Sequence, residues 1–446
     1  MSTLPPDATP PAVSLSEALL YWLKLGFISF GGPAGQIALM HTELVERRRW
    51  ISEARFLHAL NYCMLLPGPE ATQLAIYIGW LMHRTLGGIM AGLLFVLPSL
   101  VLLCGLSWIY LVYGDVPVIA GLLYGIKPAV VAIVLAAAWR IGSRSLKNSW
   151  LIGIALAAFV AIAVVQLPFP AVVLGAAVLG ALGGRFLPRH FHPGGAHAST
   201  VKSYGPAMID DATPTPAHAR FAWRKITIVL LTGVGLGVIS WSTLVWHTGI
   251  DSAPSQMGLF FTKAAMLTFG GAYAVLPYVY QGAVEHYQWL TPQQMIDGLA
   301  LGETTPGPLI MIVAFVGFLG GWGGFTLAGS QLLGAIAAAC VATFFTFLPS
   351  FIFILVGAPF IESTRDNIRM TAPLTAISAA VVGVIVSLAL FFAEHIFHLR
   401  APPGSWDWSA IVLTALACIA LFRFKIGPIP VIAACAMAGL VVSSLG

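Results

Sequence analysis

Charge is what this sequence has least of. Lys, Arg, Asp and Glu make up 9% of its 446 residues, against about 25% in a soluble globular domain. So few charges cannot cover a water-facing surface, which excludes a soluble enzyme or binding module of this size. Cysteine is scarce too. The five present, Cys63, Cys104, Cys340, Cys418 and Cys435, stand singly in apolar stretches, which excludes a disulfide framework and a thiolate zinc site. Residues 1–15 contain no Lys or Arg, so the basic start of a cleavable signal is missing and the first apolar segment is expected to stay in the mature chain. No phosphate-binding loop ending in Lys-Ser or Lys-Thr occurs, which argues against ATP-driven work by this chain.

Apolar residues fill the space that charge leaves. Hydrophobic residues account for 58% of the chain and the mean hydropathy is +0.89. Stretches such as 89–112, 129–139, 151–165 and 376–392 reach, alone or with their flanks, across a hydrocarbon core of about 30 Å. The expected fold is all-α, a polytopic integral membrane protein with the lipid bilayer as its first partner. In such a protein the net charge of +5 chiefly records which loops stay in the cytoplasm, so no nucleic-acid partner is expected.

The chain is written twice. Phe30-Gly31-Gly32 recurs as Phe269-Gly270-Gly271 and Pro67-Gly68-Pro69 as Pro306-Gly307-Pro308, and 269 − 30 and 306 − 67 both give 239. The same offset pairs Lys24 with Lys263, Glu46 with Glu285 and Trp50 with Trp289. Further on the offset drifts, Leu97-Pro98-Ser99 matching Leu348-Pro349-Ser350 and Pro168-Phe169-Pro170 matching Pro428-Ile429-Pro430. The expected organisation is an N-terminal tail (1–14), a first repeat (15–187), a cytoplasmic linker (188–225) rich in Pro, His and Ala, a connecting transmembrane helix (226–247) and a second repeat (257–446).

Basic residues mark the cytoplasmic side. Arg47, Arg48, Arg49 and Arg55 follow the first Gly-Gly motif, whereas the matching stretch near Glu285 carries no Lys or Arg. Downstream the bias reverses: the loop at Asp115 is poor in positive charge where its partner holds Arg365 and Arg369, and Arg144 and Lys147 face a region holding only Arg400. The two repeats are therefore expected in inverted topology. Each holds four spans, near 86–113, 118–141, 149–166 and 169–186 and near 331–356, 371–392, 408–424 and 429–445, so the extra helix supplies the inversion.

Segments 16–48 and 55–82, and their second copies, are interrupted near the middle by Gly-Gly or Pro-Gly-Pro. Proline removes a donor and glycine permits a reversal, so each segment reads as a re-entrant broken helix, tolerated at membrane depth only in a protein-lined cavity. The half-helices starting near Ala34, Glu70, Ala274 and Leu309 would aim first-turn amides and positive dipole ends at one meeting point, which suits an anion. A single such motif would mark no more than a kink; the duplication at fixed spacing makes the site. The candidate substrate-binding residues are Lys24, Phe30, Gly31, Gly32, Gln36, Pro67, Gly68 and Pro69, with Lys263, Phe269, Gly270, Gly271, Tyr273, Thr304, Thr305, Pro306, Gly307 and Pro308.

Each candidate has a plainer reading beside the functional one. Lys24 and Lys263 are intramembrane cations, hence functional candidates, or lysines that snorkel to the interface. Glu70 and Glu303 flank opposite Pro-Gly-Pro motifs and are proton-coupling candidates, though Glu70 also suits a helix N-terminus. Gln36, Thr72, Gln73, Tyr273, Thr304 and Thr305 could complete an oxyanion shell or hydrogen-bond between helices. The run Gly233-Val-Gly235-Leu-Gly237 lies in an apolar stretch and signals packing, not a dinucleotide. His190, His192, His197 and His218 are irregularly spaced without Cys or carboxylate companions, so neither a metal nor a cofactor is expected.

Residues 24–40 (KLGFISFGGPAGQIALM), Leu66-Pro-Gly-Pro-Glu-Ala-Thr-Gln-Leu, residues 263–278 (KAAMLTFGGAYAVLPY) and Thr305-Pro-Gly-Pro-Leu resemble the chromate ion transporter (CHR) family in its long, two-domain form. The resemblance spans the whole chain. It implies export of chromate from the bacterial cytoplasm through the plasma (inner) membrane and chromate resistance, with sulfate as a related dianion. The expected activity is secondary transport driven by membrane potential, with proton exchange through Glu70 or Glu303 where coupling exists. Sulfate uptake, an anion channel and an intramembrane enzyme using Glu70, Glu303 and His58 are the rival classes; no nucleophile–base pair supports the last, so the chain is not expected to be an enzyme. A homodimer is a further expectation.

Overall fold

The computed structural model describes residues 10–30, 32–191, 204–211, 213–214, 216, 218–269, 271–363, 372–398 and 405–445. Gly31, Gly270, His192, His197, Arg365, Arg369 and Arg400 lie outside the described residues. Among the described residues the chain is helical, with two isolated β-bridges and no strand. The protein is an all-α polytopic membrane protein.

The first half runs α1 (Leu15–Ile28), α2 (Gly32–His41) ending in a π-helical turn (Thr42–Arg47), α3 (Glu53–Leu65), α4 (Glu70–Tyr113), α5 (Pro117–Ser145), α6 (Ser149–Ala163), α7 (Phe169–Phe186) and the single turn α8 (Pro188–Phe191). After the linker come α9 (Trp223–Thr248), α10 (Ala253–Leu267), α11 (Ala272–Tyr280) with a second π-helical turn (Gln281–His286), α12 (Pro292–Thr304), and a short 3-10 turn (Leu309–Met311) leading into α13 (Ile312–Gly324). The chain ends with α14 (Gln331–Ser363), α15 (Ala372–Phe397), α16 (Trp408–Phe422) and α17 (Pro428–Leu445).

The boundaries repeat because their chemistry repeats. Ser52 caps α3 by accepting from the Arg55 amide, and 239 residues later (291 − 52) Thr291 caps α12 in a reciprocal box with Gln294. Both π-helical turns fall at that offset (281 − 42), and each is followed by a left-handed residue, Arg49 (φ 50°) and Gln288 (φ 54°). The breaks turn on glycines with positive φ: Gly32 (71°) and Gly271 (99°), Gly68 (128°) and Gly307 (107°). Only glycine takes this backbone without strain.

Helix α4 is two helices. His83 and Arg84 leave helical geometry, and beyond them the chain doubles back: a Cβ on Gly79 would strike Ala91 and Gly87, and one on Gly88 would strike Trp80. Residues 70–82 and 85–113 thus form a hairpin, the counterpart of α13 and α14, which pack against each other. Further out the halves interlock. α5 packs against α16 and α17 of the second half, while α15 packs against α6 and α7 of the first. Glycine lets α5 and α17 approach to backbone contact, since a Cβ on Gly125 would lie 2.0 Å from the Cys435 carbonyl oxygen.

Among the described residues, six helices are long and apolar enough to cross a membrane. Outward faces carry apolar side chains that lipid must cover: Trp246, Ile239 and Leu231 on α9, which buries no residue, and Val101 and Leu174 elsewhere. α6 and α16, at 15 residues each, extend about 22 Å and are shorter than the sequence suggests for full spans.

Composition suggests a flexible linker, but its described second part is docked. Met208 and Ile209 donate their amides to the Arg49 and Trp50 carbonyls at 2.9 and 3.1 Å, and Ser52 returns an amide to Ile209 at 3.0 Å. Arg55 donates to the Thr213 carbonyl at 2.5 Å, and His218 Nε2 lies 3.0 Å from the Trp80 carbonyl oxygen. The linker therefore lies against the corner between α2 and α3, where backbone pairing outweighs its polar composition.

Candidate substrate site at the crossing of the two halves

The two Pro-Gly-Pro turns each reach into the opposite half. Gly68 donates its amide to the Thr268 carbonyl at 2.7 Å, and Gly307 donates to the Ser29 carbonyl at 2.8 Å. Thr268 and Ser29 are themselves 239 residues apart, so the pair of bonds is reciprocal, as in a contact related by a two-fold axis. Packing follows the same rule. A Cβ on Gly68 would lie 2.4 Å from Ser350 Oγ, and one on Gly307 would lie 2.7 Å from Ser99 Cβ. Four broken segments and the two Leu-Pro-Ser motifs thus meet at one place.

Side chains at the crossing are buried and incompletely bonded. Gln36 Nε2 donates to the Gly307 carbonyl at 2.5 Å and Gln73 Nε2 to the Pro67 carbonyl at 2.8 Å, but Oε1 of each has no partner. The hydroxyls of Ser29, Thr72 and Ser99 are also buried without a partner. Leaving a buried polar group unpaired costs about 1–3 kcal/mol, and each of these hydroxyls is able to donate to an oxyanion.

Several sequence-derived candidates have a different place. The Gly68 and Gly307 amides are engaged by the opposite half, so they lock the crossing and are not open to a ligand. Thr304 and Thr305 donate their hydroxyls to the Leu301 and Gly302 carbonyls within their own helix. Lys24 and Lys263 are exposed on α1 and α10, and Phe30 is exposed with them. Pro67 is half-buried, and Pro69, Pro306 and Pro308 are buried frame residues of the turns. Gly32 and Gly271 form the other two turns, and Phe269 is half-buried.

The two carboxylates lie in the field of arginines on α5. Glu303 accepts a hydrogen bond from Tyr273, and Arg140 of α5 is within reach of that hydroxyl and acts on Glu303. Glu70, at the start of α4, feels Arg144 one turn along α5. Deeper in the same helix pair, Lys127 Nζ lies 3.3 Å from Asp297 Oδ1, and Tyr110 donates to Asp297 Oδ2 at 2.9 Å. Ser29 and Ser99 could have been found, since Ser99 sits in a duplicated Leu-Pro-Ser motif and Ser29 lies two residues before the first Gly-Gly. For Lys127 and Asp297 the sequence shows only single charges in apolar runs, with nothing to pair them.

A protein-family model described as chromate transporter matches residues 16–181 and 255–440. The chain belongs to the chromate transporter family. It is 29% identical to a chromate transport protein of Cupriavidus metallidurans over 99% of this chain and 98% of that one. It is 32% identical to a chromate transport protein of Pseudomonas aeruginosa over 98% of this chain and 94% of that one. A third, named a probable chromate transport protein, from Synechococcus elongatus, is 30% identical over 87% of each chain. No solved structure matches. Family members of this kind are transport proteins, not enzymes, and this one is a multi-pass protein of the plasma membrane.

Proposed function

We propose that this chromate transporter exports chromate from the cytoplasm, and that the dianion binds where the four broken segments cross. The observation that carries this reading is the pair of residues with buried, unpartnered hydroxyls, Ser29 and Ser99, that flank the Gly307 turn, beside the reciprocal Gly68–Thr268 and Gly307–Ser29 bonds. Hydroxyl donors and helix N-termini suit a tetrahedral oxyanion better than a cation. Arg140 and Arg144 add positive charge on the approach, and guanidinium groups pair well with oxyanions. Lys24 and Lys263, exposed on their helices, serve as interfacial anchors.

In this reading residues 15–187 and 257–446 are inverted repeats, the linker at 188–225 is cytoplasmic, and α9 supplies the odd crossing. Moving one charge through 100 mV is worth about 2.3 kcal/mol, so an interior-negative membrane helps a dianion leave by about 4.6 kcal/mol. Glu70 and Glu303 are the carriers for any exchanged proton. Sulfate, a tetrahedral dianion, meets the same donors and is expected to compete. Flux in sealed inside-out vesicles tests the proposal: chromate should accumulate with a positive interior potential, saturably and with inhibition by sulfate. Flux indifferent to potential would end the electrogenic reading, and flux that never saturates would indicate a channel.

A further inference from the structure

Equivalent positions of the two halves are not equally buried. Met64 of α3 is 53% exposed, whereas its counterpart 239 residues on, Glu303 of α12, is 9% exposed. Asn61 is exposed where Ala300 is fully buried, and Ala34 is exposed where Tyr273 is buried. The cause is packing. α12 lies against α5 and α11 against α15, while α3 and α2 pack principally on α4 and make no comparable contact with α15 or α5. One half has its broken helices closed on the outer bundle; the other stands off.

A charged cluster secures the closed side. Asp297, on α12, is buried between Lys127 of α5 and Tyr110 of α4 at 3.3 and 2.9 Å. The counterpart of Asp297 at the 239 offset is His58, whose Nε2 lies 3.4 Å from the Ile361 carbonyl oxygen, Ile361 being the counterpart of Tyr110 at the 251 offset that relates Ser99 to Ser350. At 251 the counterpart of Lys127 is Ser378. If the halves exchanged arrangements, His58 would face a serine, and no ion pair would form. An uncompensated buried charge is strongly unfavourable, so a packing that separates Lys127 from Asp297 without offering either a new partner is disfavoured, which makes the pair effective as a lock on one of two packings.

We propose that Lys127, Asp297 and Tyr110 are positioning residues that hold one of two alternating access states, with α12 closed on α5 and α3 open, and that transport exchanges the two packings. The proposal rests on the reading of the chain as a transporter with pseudo-symmetric halves. The lock exists in one state alone, so it sets the resting equilibrium, and substrate has to work against it.

The test reads accessibility, not flux. In protein with the five native cysteines replaced, Asn61→Cys should react with a membrane-impermeant thiol reagent applied from one face, and Ala300→Cys should be protected. Adding Asp297→Asn should raise labelling of Ala300→Cys roughly tenfold, from the opposite face, and lower that of Asn61→Cys in step. General loosening would raise both, so the reciprocal change identifies a shift between states. Tyr110→Phe, which keeps the ion pair, should shift the pattern less, and Lys127→Asp with Asp297→Lys should restore it. An unchanged pattern in both Asp297→Asn and Tyr110→Phe would overturn the lock. Labelling needs no substrate, so a shifted pattern in a protein that carries no oxyanion would uphold the lock and remove the substrate reading instead.

Discussion

Gln36 Nε2 lies 2.5 Å from the carbonyl oxygen of Gly307, 271 positions further along the chain. This bond ties the first broken segment of one half to the last of the other, at a point where Gln36 Oε1 stays unpartnered. Gln36→Leu would leave the Gly307 carbonyl buried and unpaired, a cost of about 1–3 kcal/mol. At about 2–4 °C per kcal/mol for a protein of some size, a detergent melting curve should move visibly downward, and chromate flux should fall at least as much as Gln36→Asn, which keeps the amide on a shorter arm. Flux and melting point unchanged in Gln36→Leu would remove this contact from the site.

Gly68 and Gly307 admit no side chain. Each has positive φ, 128° and 107°, and a Cβ would strike Ser350 or Ser99. Alanine at either position is expected to store about 1–3 kcal/mol of backbone strain in addition to the clash, and to abolish flux. Adding Ser350→Gly to Gly68→Ala removes one of two clashes, since Gln73 Nε2 would still lie 2.5 Å from the new Cβ, and leaves the dihedral as it is, so thermal stability should recover only in part. Complete recovery would show that the Ser350 contact alone mattered, and that neither the Gln73 contact nor the dihedral does. Gly235→Ala is the control: nothing lies within 4 Å of its Cβ, and within a helix alanine is favoured by about 0.5–1 kcal/mol.

The interlock of α5 with α17 depends on two glycines in backbone contact. A Cβ on Gly439 would lie 2.3 Å from the Gly125 Cα, so Gly439→Leu should separate the helices and, with them, the two halves. Small residues supply close packing where lipid gives no hydrophobic drive. Gly153→Leu, where nothing lies within 4 Å, should be tolerated. Size-exclusion profiles of the two variants in mild detergent check this; a monodisperse Gly439→Leu protein would show that the interface yields.

Much of this architecture is readable from spacing. Fixed offsets between Phe-Gly-Gly and Pro-Gly-Pro motifs foretell paired breaks, because the residue types that break a helix are few and leave a visible pattern. Cross-half partners are less legible. Asp297 and Lys127 look like isolated charges until folding brings α12 to α5, and the Arg140–Tyr273–Glu303 group has the same character. Exposure of Lys24 and Lys263 depends on helix rotation, which an almost wholly apolar helix does not encode in its pattern. The docked linker escaped notice because its bonds are made by backbone atoms at Met208 and Ile209, and backbone pairing of an irregular segment has no side-chain signature.

That docking should be sensitive to pH through His218. Its Nε2 donates to the Trp80 carbonyl at 3.0 Å with the ring edge-on to the Trp80 indole. Burial chiefly pushes its pKa below the ordinary value of 6.5, and Arg84 and Lys225 push the same way, against the raising effect of carbonyl bonds to Trp80 and Leu81. The undocked histidine therefore takes up a proton at higher pH than the docked one, so docking is at full strength above pH 6.5 and weakens as pH falls below it. Amide exchange at Met208 and Ile209, corrected for intrinsic rates, should be slow at pH 7.5 and faster at pH 5.5. His218→Gln keeps a donor for the Trp80 carbonyl but cannot titrate, and its exchange should be the same at both. Equal protection of the wild type at the two pH values would mean that the backbone bonds to Arg49 and Trp50 hold the linker without help from this histidine.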